Sequence, residues 1–407
     1  MTPTTTPSRH SPWLIAGLGF LVLAFAYSGR ATLSLVMPEL ERDMDWSRTF
    51  VSSAAAMSLI VMAALAPLVG ILVDRHGPRL ALVMGVVMIA LGNFAIALSE
   101  SPVTFILAFS GMASLGYGIA AIHVVSTAVA QLFARNKGLA MGIATSGATA
   151  GQFLIVPLIA GVFVFAGWRW SFAAIGVACM VLAFVIWRLL PSPGSLESKT
   201  KARPPLTADV RYVFRKPAFH ILFWSFFICG YTTTGVIETH FLPFADHHGF
   251  GPLPSATAYG VLSAVNMGGM IGAGWLADRM NRPLLLGSIY LLRALSFLLL
   301  INIGADYSTL ILFAVFFGIV DYSTVPVTAS LVESHIGLHV MGLTMGLISA
   351  GHSIGAALGA LFGGYLFELY AQYDWVWRSS IGLAVLAGLM VFMLRDRPPA
   401  LADTTTA

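Results

Sequence analysis

The stretch that decides the fold of this chain occurs twice. Residues 70–75 read Gly-Ile-Leu-Val-Asp-Arg at the end of a long apolar run, and residues 274–279 read Gly-Trp-Leu-Ala-Asp-Arg, 204 positions later. The same offset relates Gly-Leu-Ala-Met-Gly at 138–142 to Gly-Leu-Thr-Met-Gly at 342–346. Two ungapped matches at one spacing indicate a duplicated chain. Parallel halves related by an axis along the membrane normal are typical of rocking transporters.

The composition places both copies in a membrane protein. Hydrophobic residues make up 57% of the 407 residues and charged residues only 10%, whereas soluble domains carry roughly 25% charged residues. So few charges cannot cover a water-facing surface, which excludes a soluble domain, and the apolar content excludes a disordered chain. We attribute the net charge of +4 to loops on one side of a membrane and not to nucleic-acid binding.

Apolar runs long enough to cross a bilayer predict twelve helices. A break rich in Pro, Ser, Lys and Arg at 191–217 separates them into two sets of six. We therefore predict an all-α polytopic membrane protein with twelve transmembrane helices in two six-helix pseudo-symmetric bundles, at 13–190 and 218–394, and with tails at 1–12 and 395–407. The spans are predicted at 13–36, 49–73, 80–98, 102–132, 139–166, 171–190, 219–245, 255–277, 284–303, 308–331, 340–369 and 376–394.

The basic residues predict the orientation. An even number of spans puts both termini on one side, and that side carries most of the basic loop residues, as expected of the cytoplasmic side. Only Arg42, Arg48, Arg169 and Arg378 fall in loops on the other side. We predict a multi-pass protein of the cell inner (plasma) membrane with both termini in the cytoplasm. The cytoplasmic set is Arg9, Arg75, Arg79, Arg135, Lys137, Arg188, Lys199, Lys201, Arg203, Arg211, Arg215, Lys216, Arg279, Arg282, Arg395 and Arg397.

The short loops after the second and eighth spans carry the repeated Asp-Arg pair at a helix end. We expect the Asp to accept hydrogen bonds from N-terminal amides of a neighbouring helix, and the Arg to pair across the interface between the halves. Such contacts would hold the cytoplasmic side closed; the alternative is a plain turn with interfacial charges. The glycine runs permit close helix packing, either sliding or static. The predicted gating residues are Gly70, Asp74, Arg75, Gly77, Arg79, Gly274, Asp278, Arg279 and Arg282.

These loop motifs resemble the signature of the major facilitator superfamily, and the resemblance covers essentially the whole chain. A finer resemblance is to the bacterial monocarboxylate-transporter-like branch. Residues 29–38 (Gly-Arg-Ala-Thr-Leu-Ser-Leu-Val-Met-Pro) are similar to its first helix, and 134–142 to its fifth-helix region. The resemblance implies that Arg30 handles substrate or protons. In the eighth helix Asn266 fits the branch, but Met270 replaces its usual carboxylate-binding Arg.

Charged residues inside a bilayer are functional suspects, since each costs about 2.5–3.5 kcal/mol at a helix centre. We predict that Arg293 and Asp321 pair, because they lie at similar depths on neighbouring helices, either as a structural contact or as a substrate or proton site. Tyr117 corresponds to Asp321 at the 204 offset, so both are expected to face related environments. The predicted substrate-binding residues are Arg30, Tyr117, His123, Asn266, Arg293 and His352; the predicted proton-coupling residues are Glu238, His240 and Asp321.

Several of these residues also have structural interpretations. Arg30 is expected to attract an anion near the outer end of its helix. Glu238 and His240 are either proton carriers or interfacial residues near an outer loop. His123 and His352 either touch the substrate or pack inside the bundle with hydrogen bonds.

The predicted function is secondary active transport, by symport of a proton with a small organic anion such as a monocarboxylate, through rocking alternating access. The sequence contains no phosphate-binding loop and no catalytic motif, so we predict no enzyme activity, no cofactor and no metal site. The expected partners are a small-molecule substrate, protons and the lipid bilayer, without nucleic acid, and with function as a monomer. The alternative is proton-coupled efflux of a hydrophobic or cationic compound, which the missing Arg at position 270 favours.

Overall fold

A computed structural model describes residues 12–46, 48–133, 135–190, 205–250, 252–304 and 306–396. All regular secondary structure in these ranges is helical. Most of both predicted tails and the linker residues 191–204 lie outside the described residues. The same is true of five predicted cytoplasmic basic residues, Arg9, Lys199, Lys201, Arg203 and Arg397.

Twelve helices of the described chain are long and apolar enough to cross a membrane, which confirms the predicted number. In chain order they are α1 (Pro12–Met44), α2 (Arg48–His76), α3 (Pro78–Ala97), α4 (Pro102–Leu132), α5 (Lys137–Ala166), α6 (Trp168–Leu189), α7 (Pro217–Ala245), α8 (Pro252–Ala277), α9 (Arg282–Ile301), α10 (Tyr307–His335), α11 (Met341–Tyr370) and α12 (Asp374–Phe392). Proline occupies the first turn of α3, α4, α7 and α9, where a backbone N–H has no intrahelical partner. We call the side that carries the α2–α3 and α8–α9 loops and the end of α12 the termini face.

Three of these helices are interrupted along their length. α4 contains a π-helical segment, Leu107–Ala113, and breaks at residues 120–121, and α7 contains a second π-helical segment, Tyr231–Gly235. The first part of α10 ends at Val320, and the helix resumes at Thr324. Irregular backbone is tolerated at membrane depth where protein or a cavity surrounds it. Hydropathy did not predict these interruptions, because each span remains apolar through them.

The second half of the predicted linker contains a short helix, Leu206–Phe214. The Tyr212 hydroxyl on this helix donates to the Ile336 carbonyl between α10 and α11 at 2.9 Å. The Lys216 ammonium lies 4.5 Å from the centroid of the same Tyr212 ring. The linker helix is therefore attached to the second bundle at the termini face.

Glycines bring the fifth helix of each half against the first. α5 packs along α1, and α11 packs along α7. A Cβ atom on Gly151 would lie 2.2 Å from the Ala24 carbonyl oxygen, and one on Gly355, 204 residues later, would lie 2.0 Å from the Phe227 carbonyl oxygen. The predicted close packing of the glycine runs is thus confirmed in both halves.

The two halves meet through α2 with α11 and through α5 with α8. A Cβ atom on Gly70 would lie 2.0 Å from the Gly342 carbonyl oxygen, and one on Gly274 would lie 2.2 Å from the Gly138 carbonyl oxygen. These approaches lie at the ends of the four helices nearest the termini face. The halves are therefore closed against each other at the termini face.

Candidate functional site

The first repeated loop closes the termini face with a carboxylate. Asp74 at the end of α2 accepts hydrogen bonds from the backbone amides of Gly342 and Leu343, each at 2.8 Å. These amides belong to the first turn of α11, where N–H groups have no intrahelical acceptor and the helix dipole attracts a negative charge. The contact joins the two halves, as the sequence predicted for this Asp.

The second repeated loop makes the same contact with the halves exchanged. Asp278 at the end of α8 accepts from the backbone amides of Gly138 at 2.8 Å and Leu139 at 2.9 Å, in the first turn of α5. The glycines at these helix starts let the carboxylates and backbones approach. Both copies of the contact are formed at once, so two pseudo-symmetric latches hold the termini face closed.

In the described part of the chain, three arginines of these loops contact groups of their own halves. Arg279 stacks on Trp275 of its own helix, with its guanidinium carbon 4.3 Å from the ring centroid. Arg79 donates to a backbone carbonyl at the end of α6, and Arg282 pairs with Asp396 at 2.9 Å. The pair across the interface was predicted for the Arg that follows each Asp; among the described residues neither Arg75 nor Arg279 forms it. The two aspartates act through backbone amides instead.

A different cation crosses the interface. Lys137 at the start of α5 pairs with Glu333 near the end of α10, beside the second latch. Arg75 is exposed and has no partner within the described part of the chain. Gly77 adopts φ 81°, a left-handed conformation that permits the tight turn between α2 and α3. The sequence did not predict the Lys137–Glu333 pair, because neither residue belongs to the repeated Asp-Arg motif.

A cavity lies between the halves beyond the latches. Its empty volume is about 320 Å³, including space open to solvent, and helices α1, α5, α7, α8 and α10 supply its walls. Asn266 and Asp321 each lie 14 residues into their helices, about 21 Å along the axis at 1.5 Å per residue. The cavity is therefore near the middle of the membrane. It is lined by Tyr27, Ala148, Thr149, Gln152, Glu238, Tyr259, Leu262, Ser263, Asn266, Asp321 and Tyr322.

Three of the nine predicted substrate and proton residues line this cavity: Asn266, Glu238 and Asp321. The three lining tyrosines were missed. A signal for one of them was present, because Tyr259, Ser263 and Asn266 follow one another at helical spacing and form a polar stripe on α8.

Asp321 lies at the interruption of α10, with its carboxylate facing the cavity. Its Oδ2 atom accepts from the Asn266 amide at 2.9 Å, and the Asn266 Oδ1 atom accepts from the Tyr322 backbone N–H at 3.2 Å. The Asp321 side chain is buried, and its Oδ1 atom has no hydrogen-bond partner in the described chain. Asn266 therefore holds the interruption, and one carboxylate oxygen remains available inside the protein.

Arg293 on α9, which does not line the cavity, stabilises the same interruption. Its Nη2 atom donates to the carbonyls of Val320, at 2.7 Å, and of Asp321. These are the last carbonyls of the first part of α10, which a continuing helix would otherwise satisfy, and a cation at a helix C-terminus is stabilised by the dipole. The Nη1 atom donates to Cys229 at 3.1 Å and Thr232 at 3.3 Å on α7.

The predicted pair between Arg293 and Asp321 needs a correction. The two residues are neighbours, as expected, but the guanidinium binds the backbone carbonyl of Asp321, and no side-chain ion pair forms between these two described residues. Arg293 is fully buried at 0% exposure and does not line the cavity. The orphan carbonyls of a broken helix replace the carboxylate as its partners, and a hydropathy profile does not reveal them.

Two charged residues lie at the cavity: Glu238 lines it, and Arg30 lies next to the lining residue Tyr27. Arg30 is half-buried on α1, and its guanidinium carbon lies 5.3 Å from the centroid of Tyr27, one turn earlier on the same helix face. Glu238 is exposed on α7, and its Oε1 atom accepts from the Tyr322 hydroxyl at 2.7 Å and from Thr234 at 3.1 Å. In the described residues neither charge has an ion-pair partner.

The histidines predicted at the site face other parts of the bundle. The His240 ring nitrogen lies 3.0 Å from the Ala360 carbonyl of α11, and His352 packs on Phe226 with ring centroids 5.0 Å apart. His123 is buried in α4, where its Nε2 atom has no hydrogen-bond partner among the described residues. None of the three lines the cavity.

Two further predicted positions are filled by packing. Tyr117 is buried and accepts a hydrogen bond from Asn93 at 3.3 Å. It packs against Gly29, where a Cβ atom would lie 2.7 Å from its hydroxyl, so it supports the helix turn that carries Arg30. Met270 is fully buried, and its sulfur accepts from the Thr149 hydroxyl at 3.7 Å. A thioether therefore occupies the place where the resemblance led us to look for a cation.

Two six-helix repeats around a central cavity that is closed at one face define the class of secondary transporters. The chain belongs to the major facilitator superfamily, whose family model matches residues 19–348 and 273–407. The resemblance noted in the sequence is thereby confirmed.

Known proteins similar to this chain include transporters from bacteria and mammals. The chain is 24% identical to the uncharacterized MFS-type transporter YcxA of Bacillus subtilis (strain 168), over 96% of this chain and 98% of that protein. It is 26% identical to monocarboxylate transporter 11 of Mus musculus, over 86% of this chain and 80% of that protein. A structure of the proton:xylose symporter XylE bound to 6-bromo-6-deoxy-D-glucose matches with a TM-score of 0.75 at 15% identity, covering 94% of this chain and 95% of that chain. At that identity the likeness shows the fold alone.

Proposed function

We propose that this protein moves a small organic acid, of the monocarboxylate class, together with a proton. One observation carries the proposal: Arg30, a cation without an ion-pair partner in the described chain, adjoins the cavity that Asp321 lines with an unpartnered carboxylate oxygen. The guanidinium supplies a charged donor for a carboxylate. The available Asp321 oxygen supplies a place for a proton. The similarity to monocarboxylate transporter 11 supports this substrate class.

The transport cycle follows from the latches. The termini face is the cytoplasmic face in this proposal, so the present conformation opens to the outside. Substrate binds between the halves, the Asp74 and Asp278 contacts release, and the halves rock about the cavity. The protein resides in the cell inner membrane and works as a monomer. Asp321 is the proton carrier, because its carboxyl group is buried and forms no ion pair with any described cation, Arg293 included.

Counterflow in proteoliposomes tests this function. Proteoliposomes that contain the purified protein are loaded with unlabelled lactate or pyruvate. Uptake of the labelled acid is then measured with and without an inward-directed proton gradient. We expect uptake that the gradient accelerates, that Arg30→Gln abolishes and that Arg378→Gln, a surface control on the far face, leaves unchanged. Acid uptake that is equal in wild type and Arg30→Gln would refute the role of Arg30.

The second candidate is proton-coupled efflux of a hydrophobic or cationic compound. The observation that favours it is the lining itself, which contains the carboxylates of Glu238 and Asp321 and, among the described lining residues, neither Lys nor Arg. The same proteoliposomes separate the two functions. Counterflow of an amphipathic cation that is lost in Glu238→Gln and unchanged in Arg30→Gln would establish the second candidate.

A further inference from the structure

We infer that the preferred substrate is an organic acid that also carries a positively charged group, such as an ammonium. The inference rests on the proposed function and narrows its substrate class. It starts from two opposite charges, Arg30 on α1 and Glu238 on α7, which approach the same cavity from different halves of the protein.

The two charges do not neutralise each other. No nitrogen–oxygen pair between Arg30 and Glu238 lies within 4.0 Å, although both residues are described. Tyr27 lines the cavity and lies under the Arg30 guanidinium. Charges of opposite sign left unpaired at one cavity attract complementary groups on a ligand, and a ligand with both signs can pair with both.

Glu238 is held as an acceptor. Hydroxyl groups of Tyr322 and Thr234 both donate to its Oε1 atom, at 2.7 Å and 3.1 Å. The Oε2 atom has no partner among the described residues and remains for the ligand. Because an ionised carboxylate accepts and never donates hydrogen bonds, an ammonium group is its natural complement.

A monocarboxylate without a positive charge would pair with Arg30 but not with Glu238. Its carboxylate would bind Arg30, while the negative charge of Glu238 would face the apolar remainder of the ligand. The wall opposite α1 offers no compensating cation, because Met270 is buried and the described lining lacks Lys and Arg. An ammonium group on the same ligand would form an ionic contact with Glu238.

Two series of acids with identical carbon skeletons test the inference. Alanine, lactate and propanoate differ only in an ammonium, hydroxyl or hydrogen at C2, and so do phenylalanine, 3-phenyllactate and 3-phenylpropanoate. Competition against counterflow gives the relative affinity of each member in wild type, Glu238→Gln, Glu238→Asp and the control Glu100→Gln, which removes an exposed charge from the α3–α4 loop.

In at least one series we expect the ammonium member to compete at least tenfold better than the hydrogen member. Glu238→Gln should remove this preference, and Glu238→Asp and Glu100→Gln should keep it. Equal competition by all members, or a preference that survives in Glu238→Gln, would overturn the inference. Competition by the hydrogen members alone, lost in Arg30→Gln, would overturn it and leave the proposed function intact. If no acid competes, both fail.

Discussion

Replacing Asp74 with Asn should shift the equilibrium between the closed and the open termini face toward the open state, and the hydrogen bonds of Asp74 determine the size of the shift. The carboxylate accepts two amide hydrogen bonds from the start of α11. Asn keeps one acceptor oxygen and loses the charge, so one charged hydrogen bond disappears. For this half-buried side chain we take the low end of the range, about 1.5 kcal/mol, and add about 0.5 kcal/mol for the helix dipole. The total of about 2 kcal/mol corresponds to roughly a 30-fold shift toward the open state.

Hydrogen–deuterium exchange at the other latch measures this shift without touching the mutated contact. The amides of Gly138 and Leu139 donate to Asp278, so they exchange only when the second latch opens. If the halves rock as rigid bodies, both latches open together, and exchange at these two amides should rise about 30-fold in Asp74→Asn, in line with that estimate.

The matched control is Asp374→Asn, the same substitution on the far face, where the carboxylate only pairs with an exposed arginine at 3.7 Å. It should leave exchange at Gly138 and Leu139 unchanged. Unaltered exchange at these amides in Asp74→Asn would refute the coupling of the two latches. An equal rise in the control would show that the effect is not specific to the latch.

Other substitutions give distinct outcomes. Gly70→Ala should push α2 from α11 and abolish transport, because its Cβ would lie 2.0 Å from the Gly342 carbonyl oxygen, whereas Gly268→Ala, with no atom within 4 Å, should transport normally. Asp321→Asn should abolish acceleration by a pH gradient and leave the melting temperature nearly unchanged, because Arg293 holds the backbone and not the carboxylate. Arg293→Gln should instead destabilise the protein, by about 1–3 kcal/mol for each buried carbonyl that loses its donor, measured by thermal unfolding; equal melting temperatures of these two variants would contradict the arrangement.

The sequence determined the features that depend on local pattern. Twelve apolar runs of membrane-spanning length gave the helix number, since a backbone in lipid must satisfy its hydrogen bonds within each helix. The 204-residue offset predicted two similar halves, and the aspartates at the ends of α2 and α8 predicted the contacts that close the termini face. Charged residues in apolar runs pointed to Glu238 and Asp321, because charge inside a membrane is costly, and the family resemblance pointed to Asn266.

Only the tertiary structure decided which groups meet. Arg293 binds the backbone carbonyl of Asp321 and not its carboxylate, because α10 is interrupted there. The interruption leaves backbone carbonyls without helical partners, and the sequence pattern does not predict them. Lys137 forms an ion pair with Glu333 across the interface, and the His240 ring contacts a backbone carbonyl of α11. Depth along a helix follows from counting residues, but rotation about its axis and contacts with other helices depend on the whole bundle, and they select the partner of each charge.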